Sequence, residues 1–190
     1  MISGVILAGG MGRRMGGIDK GLQPLRGRPM VAWVAERLIV QVDELLINAN
    51  RHPDRYAELG YRVVPDLIPD YAGPLAGLHA ALSAASHPLV ITAPCDSPFL
   101  PTDLVTRLHA GMQAADAELA VARTGEQTHP VFCLCRRELL PKLNDYLAGG
   151  DRKFALWLAR LKTIEVNFDD QAAAFENINT ADELSRFERD

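Results

Sequence analysis

Short apolar segments rich in branched residues alternate with amphipathic segments along most of the chain. The apolar runs predict strands over 3–8, 44–48, 61–65, 88–94, 117–122, 130–135 and 162–167. Apolar residues at helical spacing, several of them after a proline that opens the first turn, predict helices over 29–41, 53–59, 74–86, 101–114, 137–148, 152–160 and 180–188. Such alternation is typical of a mostly parallel sheet covered by helices on both faces.

The second half of the chain departs from this alternation. The segment 123–127, RTGEQ, has the composition of a tight turn and predicts antiparallel pairing of strands 117–122 and 130–135. We therefore expect an α/β, Rossmann-like fold: a mostly parallel twisted sheet with a short antiparallel part in its second half. At 190 residues, without a linker, repeat or low-complexity segment, the sequence suits a single domain over 1–190.

The most distinctive polar segment follows the first predicted strand. Residues 9–20, GGMGRRMGGIDK, form a glycine-rich segment that carries two arginines and ends at Lys20. Glycines let a backbone approach a ligand closely, bare N–H groups form an anion-binding nest, and arginine and lysine add positive charge. The segment therefore predicts a polyphosphate site.

The spacing of this segment excludes two common phosphate-binding loops. A Walker A loop has lysine directly after its last glycine, whereas Ile18 follows Gly17 here. The dinucleotide fingerprint requires a third glycine where this chain has Met15. The segment instead resembles the signature loop of nucleotidyltransferases, which move an NMP group from an NTP onto a phosphate. The matching residues are Leu7, Ala8, Gly9, Gly10, Gly12, Arg14, Met15, Gly16 and Lys20.

Charge is distributed unevenly. The net charge is −4, yet residues 1–28 contain five basic residues against Asp19 alone. This local patch suits a phosphate-bearing small molecule better than a nucleic acid, which requires a longer basic stripe. Lys20 and Arg14 are the expected catalytic cations, because they would neutralise the triphosphate and the charge that develops during transfer. Of the two adjacent arginines, Arg14 is expected to face the ligand.

Cysteine usage and hydropathy bear on location. Three cysteines without a disulfide framework suit a reducing compartment, so we expect a cytoplasmic protein. Cys133 and Cys135 share one face of a predicted strand, where burial is expected rather than metal binding. No apolar run approaches the roughly 18 residues of a membrane span, and the N-terminus lacks the features of a signal peptide.

Polar residues follow three of the predicted strands, where ligands bind in open α/β sheets. Asn48 and Asp66 suit recognition of a base or ribose, although both residue types also cap their own loops, and the residues alone leave both interpretations open. Asp96 is the third expected catalytic residue, as the ligand of Mg²⁺, which usually takes one or two carboxylates plus substrate phosphates. The alternative role for Asp96 is a helix N-cap.

Two further segments carry unassigned polar or glycine residues. Residues 73–78, GPLAGL, form a second helix start marked by glycines. Residues 175–180, FENINT, would place Asn177 and Asn179 on one face if extended, whereas Thr180 is explained as an N-cap in a capping box with Glu183.

With these motifs together, the chain resembles the molybdenum cofactor guanylyltransferases from about Val5 to Glu183. The resemblance rests on residues 7–20, 48–51, 64–66, 73–77, 94–98, 129–131 and 177–180. It implies transfer of GMP from Mg·GTP to the terminal phosphate of molybdenum-bound molybdopterin, with release of pyrophosphate. Ser97 stands where threonine is common in the family, and both side chains carry a hydroxyl.

The resemblance also implies residue roles and partners. GTP would be held in the N-terminal half by Leu7, Ala8, Gly9, Gly10, Lys20, Asn48, Asp66 and Asp96, with Asp96 also binding Mg²⁺. The pterin would be received towards the C-terminal half by Gly73, Gly77, Asn177 and Asn179, with residues 151–153 as an additional contact. Partners would be molybdenum-insertion proteins and apo-molybdoenzymes, in transient contact, with neither nucleic acid nor membrane.

Three other functions compete with this one. The same chemistry would serve cytidylyl transfer to molybdopterin, or NMP transfer to a sugar or alcohol phosphate. A non-catalytic molybdopterin carrier is the alternative from another class. Lys20 and Asp96 argue against a carrier, because it needs neither a triphosphate site nor Mg²⁺.

Overall fold

The computed structural model of the chain describes residues 1–8, 19–68 and 73–178. The strands are β1 (Ile2–Leu7), β2 (Pro24–Leu25), β3 (Arg28–Pro29), β4 (Glu44–Asn48), β5 (Arg62–Val64), β6 (Leu89–Pro94), β7 (Leu119–Thr124), β8 (Gln127–Arg136) and β9 (Thr163–Asn167). The α-helices are α1 (Met30–Ile39), α2 (Pro53–Ala57), α3 (Pro74–Ala84), α4 (Leu104–Ala114), α5 (Leu140–Ala148) and α6 (Phe154–Leu158). Short 3₁₀ helices span Lys20–Leu22, Arg137–Leu139 and Asp169–Phe175.

Seven strands form one sheet in the order β5-β4-β1-β6-β8-β7-β9, and β2 and β3 form a separate hairpin. Strands β5, β4, β1 and β6 pair in parallel, as do β7 and β9, whereas β8 is antiparallel to both of its neighbours. The expected Rossmann-like, mostly parallel sheet with an antiparallel part in its second half is confirmed. The helix predicted over 180–188 lies outside the described residues.

Helices cover both faces of the sheet because neighbouring residues of each strand point to opposite sides. Ile6 of β1 joins a core cluster with residues of α1 and α4, whereas the adjacent Val5 joins a cluster with residues of α3, α5 and α6. Cys133 and Cys135 both lie in the cluster around Val5, fully buried and not disulfide-bonded, as their spacing predicted. Within the described residues, none of the helices combines the length and apolar character needed to cross a membrane.

The order of the strands reverses at β1. From β1 the chain proceeds through α1 to β4 on one side, and β6 later pairs with β1 on the other side. This arrangement is the topological switch point of a doubly wound sheet, where a crevice opens beyond the carboxyl ends of the strands. The fold therefore places any ligand crevice next to the last residues of β1, β4 and β6.

Candidate nucleotide-binding site

The carboxyl ends of four parallel strands are aligned in register. Leu7 is the pairing partner of both Asn48 and Pro94, and Asn48 is the partner of Val64. Backbone hydrogen bonds extend this alignment beyond the strands: the Ala8 N–H donates to the Asn48 carbonyl at 2.8 Å, and the Cys95 N–H donates to the Leu7 carbonyl at 3.2 Å. The segments that follow these strands therefore border one crevice.

Lys20 and Asp96 meet in this crevice. The Lys20 Nζ lies 3.3 Å from the Asp96 Oδ2, and the two side chains are 24% and 13% exposed. Because both are largely shielded from water, the pair is screened less than a surface ion pair. The structure thus brings together two of the three residues predicted to be catalytic. The third, Arg14, lies outside the described residues, as do Gly9, Gly10 and Asn179.

The surroundings of Asp96 bear on its alternative role as a helix N-cap. Helix α4 begins at Leu104 and its N-cap residue is Asp103, so Asp96 does not cap that helix. The described residues contain no group of three His, Cys, Asp or Glu side chains suited to a metal ion. A single carboxylate beside a lysine fits Mg²⁺ that arrives with a nucleotide, because that ion takes most of its remaining ligands from phosphates and water.

Asn48 and Asp66 contact each other. The Asn48 side chain, which is 1% exposed, donates from Nδ2 to the Asp66 Oδ1 at 2.9 Å and to the Val64 carbonyl at 3.2 Å. Asn50, which the sequence did not single out, donates from Nδ2 to the Asp66 Oδ2 at 2.7 Å. These amides bind across two neighbouring strands, so the contacts seen within the described residues join the loops of Asn48 and Asp66 to each other.

A second unpredicted contact supports the segment around Lys20. Tyr56 of α2 is fully buried, and its hydroxyl donates to the Asp19 Oδ1 at 2.5 Å. Burial raises the pKa of Tyr56, and the neighbouring Cys95 and Asp19 raise it further, so the phenol keeps its proton and remains a donor. A Cβ at Gly21 would lie 2.5 Å from the Tyr56 hydroxyl, so this approach requires glycine.

Cys95 lies beside this contact, and its buried thiol is expected to stay protonated. Burial raises the pKa of the Cys95 thiol, and the nearby charges of Asp96 and Asp19 raise it further. A protonated thiol is neither a nucleophile nor a metal ligand.

Helix α3 borders the crevice on the face opposite α1. Gly73, its N-cap, has φ +66 and ψ −153, a backbone conformation that only glycine adopts readily. Gly77 is buried, and a Cβ there would lie 2.8 Å from the Asn48 Oδ1 and 3.2 Å from Leu7. Gly77 therefore lets α3 lie directly against two of the predicted nucleotide residues, and its contact with a pterin stays a prediction.

The C-terminal segment that contains Asn177 reaches the loop of Asp96. The Ser97 hydroxyl donates to the Asn177 Oδ1 at 2.6 Å, and the Ile178 N–H donates to the Asp96 carbonyl at 2.9 Å. The Asn177 residue is exposed, whereas Ser97 is fully buried. A residue predicted to bind the acceptor is thereby adjacent to the residue predicted to bind the metal.

An α/β protein with a lysine–carboxylate pair at the switch point of its sheet has the arrangement expected of a nucleotidyltransferase. Comparison with known proteins agrees with that class. The model of the MobA-like NTP transferase domain matches residues 4–164. The molybdenum cofactor guanylyltransferase of Cupriavidus taiwanensis is 53% identical over 192 residues, which cover 98% of this chain and 96% of that protein. The chain therefore belongs to the molybdenum cofactor guanylyltransferase family.

Solved structures extend the comparison. The molybdopterin-guanine dinucleotide biosynthesis protein A of Archaeoglobus fulgidus superposes with a TM-score of 0.78 at 25% identity, covering 100% of this chain and 97% of that one. The 4-diphosphocytidyl-2C-methyl-D-erythritol synthase of Anaerococcus prevotii superposes with a TM-score of 0.75 at 14% identity, covering 100% and 97%. The latter shares the fold alone, so the fold does not by itself determine which base is bound.

Proposed function

We propose that this chain transfers the GMP group of GTP, bound with Mg²⁺, to the terminal phosphate of molybdenum-bound molybdopterin. The products are molybdopterin guanine dinucleotide cofactor and pyrophosphate. The observation that carries the proposal is the Lys20–Asp96 pair at the switch point of a chain that is 53% identical to a molybdenum cofactor guanylyltransferase.

The nucleotide would occupy the crevice beyond β1, β4 and β6. In this proposal Leu7, Ala8, Gly9, Gly10, Lys20, Asn48, Asp66 and Asp96 hold GTP, and Gly73, Gly77, Asn177 and Asn179 receive the pterin. Two observations support this assignment of residues to GTP and to the pterin: the register of the strand ends, and the position of α3 beside Asn48. A single domain over 1–190 would hold the nucleotide mainly in its N-terminal half, and the acceptor would reach the C-terminal half at Asn177 and Asn179.

The reaction joins an oxygen of the pterin phosphate to the α-phosphorus of GTP. As that bond forms, the bond from the α-phosphorus to the bridging oxygen breaks, and pyrophosphate leaves with the electron pair. The acceptor oxygen is already anionic, so no side chain has to remove a proton. Lys20 and Arg14 would stabilise the charge on the α-phosphate and the leaving group, and positioning accounts for most of the catalysis. Mg²⁺ held by Asp96 would supply further positive charge to the phosphate oxygens.

Location and partners are part of the proposal. The three cysteines are free and buried, which suits a reducing cytoplasm. Molybdenum-insertion proteins that deliver the pterin, and apo-molybdoenzymes that receive the product, would contact the enzyme transiently.

Equilibrium binding of GTP, CTP, ATP and UTP, with and without Mg²⁺, tests the proposal. We expect selective, Mg²⁺-dependent binding of GTP that falls about 10- to 100-fold in Lys20→Ala, since a charge-assisted contact to phosphate is lost. Lys162→Ala is the matched control: Lys162 forms an exposed pair with Asp116 and directly precedes β9, at the opposite end of the strands. Preference for CTP would move the chain to cytidylyl transfer, and binding of no nucleotide would favour a pterin carrier.

A further inference from the structure

We infer that Asn50 is a positioning residue that holds the Asp66 carboxylate in the orientation required to bind the guanine base. The inference rests on the proposed function, and it adds to it a residue that determines base specificity. It starts from the hydrogen bonds that connect Asn50, Asp66 and Asn48.

Asn50 and Asp66 form a closed pair of hydrogen bonds. The Asn50 Nδ2 donates to the Asp66 Oδ2 at 2.7 Å, and the Asp66 backbone N–H donates to the Asn50 Oδ1 at 2.7 Å. Because a backbone N–H is always a donor, the second bond fixes which end of the Asn50 amide is oxygen. The NH₂ group must then point at the carboxylate, and the pair has one orientation.

Asn48 completes the support of the carboxylate. Its Nδ2 donates to the other oxygen, the Asp66 Oδ1, at 2.9 Å. Each oxygen of Asp66 therefore accepts one amide N–H, and a carboxylate oxygen has about two acceptor positions. Counting contacts within the described residues, one acceptor position on each oxygen remains, and Asp66 is half-buried rather than enclosed. The Asp66 carboxylate is therefore held in one orientation at the carboxyl ends of β4 and β5, where both of its oxygens can accept a hydrogen bond from a ligand.

This acceptor matches one base. The Watson–Crick edge of guanine carries two adjacent donors, N1–H and the 2-amino group, which a carboxylate binds with both oxygens. Adenine and cytosine place a ring acceptor beside their amino group, and uracil places its single N–H between two carbonyls. Paired hydrogen bonds to a charged group are strong and directional, so a fixed carboxylate favours guanine over the other three bases.

Inosine triphosphate isolates the contact, since it differs from GTP only in lacking the 2-amino group. We expect the unaltered chain to bind Mg·GTP about 10- to 100-fold more tightly than Mg·ITP, the contribution of one hydrogen bond to a charged acceptor. In Asn50→Ala the Asp66 carboxylate loses its fixed orientation, so binding of GTP, which uses both N1–H and the 2-amino group, weakens more than binding of ITP, which has only N1–H to lose. The GTP-to-ITP ratio should fall to within about threefold of unity.

A second asparagine–aspartate pair, with the same two hydrogen bonds as Asn50 and Asp66, provides the control variant. Asn167 donates from Nδ2 to the Asp169 Oδ2 at 2.7 Å, and the Asp169 N–H donates to the Asn167 Oδ1 at 2.8 Å. This pair begins at the last residue of β9, at the edge of the sheet opposite β5. Asn167→Ala removes an equivalent pair of hydrogen bonds and should leave the GTP-to-ITP ratio unchanged.

The outcomes separate the inference from the function on which it rests. If the unaltered chain does not prefer GTP among the four NTPs, the proposed function is wrong. If it prefers GTP over ITP but Asn50→Ala weakens both nucleotides equally, Asn50 is structural only and the inference is wrong. Asn50→Asp provides a second variant of the same shape: it keeps the acceptor for the Asp66 N–H, loses the donor, and should lower the ratio as well.

Discussion

At the scale of single residues, the hydrogen bond from Tyr56 to Asp19 joins α2 to the residue directly before Lys20. The two residues are 37 positions apart, and the burial of Tyr56 makes the bond less exposed to competition from water. Because Lys20 in turn pairs with Asp96, the phenol holds one end of a chain of contacts that leads to the predicted metal ligand.

Replacing Tyr56 by phenylalanine removes only the hydroxyl. We expect Tyr56→Phe to lower the free energy of unfolding by about 1–3 kcal/mol, since the Asp19 carboxylate loses its buried donor. We also expect the affinity for Mg·GTP to fall about 5- to 10-fold, because Lys20 is held less firmly. Chemical denaturation and equilibrium nucleotide binding measure the two effects.

The control for this variant is Tyr146→Phe. The Tyr146 hydroxyl donates to the Lys153 carbonyl at 2.8 Å, and the residue is 3% exposed, so a similar loss of stability is expected. Tyr146 lies in the other core cluster, away from Lys20. Equal weakening of nucleotide binding in both variants would show that Tyr56 acts through general stability and not through Lys20.

At the scale of elements, α3 approaches the strand ends because Gly77 has no side chain. The distance of 2.8 Å from a Cβ at position 77 to the Asn48 Oδ1 is shorter than real contacts of this kind. An added methyl group must therefore displace the helix or rotate the Asn48 amide. Rotation would break the bond from Asn48 to Asp66, which links the packing of α3 to residues proposed to bind the nucleotide.

We expect Gly77→Ala to destabilise the fold by about 1–3 kcal/mol through overpacking and to weaken GTP binding in the same variant. The matched control is Gly149→Ala at the C-cap of α5, where φ is −69 and the nearest atom to a Cβ is 3.4 Å away. Thermal unfolding and GTP binding measure both variants. Unchanged GTP affinity in Gly77→Ala would mean that α3 shifts as a whole and leaves Asn48 in place.

Elements were predictable from the sequence where periodicity alone determines them. β4 is observed at its predicted bounds, 44–48, because its apolar run is flanked by polar residues on both sides. β8 begins at Gln127, earlier than the predicted residue 130. The turn between β7 and β8 has only two residues, 125 and 126, so pairing with β7 resumes directly after it. Pro130 is tolerated because the pairing with β7 skips from Cys133 to His129, so the missing N–H lies at the irregularity.

The candidate site was predictable only in part, for a related reason. Asp96 and Asp66 follow predicted strands, and the order of parallel strands makes their convergence a consequence of the fold class. Tyr56 lies within a short helix and Asn50 within a loop, and nothing in their local sequence indicates a partner. Their roles depend on side-chain contacts between segments distant in sequence, which only the packed structure specifies.

At the scale of the whole molecule, the contacts of Ser97 connect the proposed acceptor segment with the proposed metal ligand. Ser97 is buried, it directly follows Asp96, and its hydroxyl binds Asn177 near the C-terminal end of the described residues. The Ile178 N–H adds a backbone bond to Asp96 itself. These two bonds therefore join the segment proposed to receive the acceptor to the loop proposed to hold the metal and the nucleotide.

We expect Ser97→Ala to separate the two halves in function. The KM for the pterin acceptor should rise and kcat should fall about 10-fold, since one side-chain bond that orients Asn177 is lost. The dissociation constant of Mg·GTP should change less than about twofold, because the Lys20–Asp96 pair and the hydrogen bond from Asn48 to Asp66 are untouched.

The control is Ser97→Thr, which keeps the hydroxyl and should retain activity. It separates the effect of the hydrogen bond from the effect of packing. Steady-state transfer assays with varied acceptor, together with GTP binding, measure these effects. A loss of GTP affinity equal to the loss of turnover would show that the segment around Asn177 supports the nucleotide site and not the acceptor.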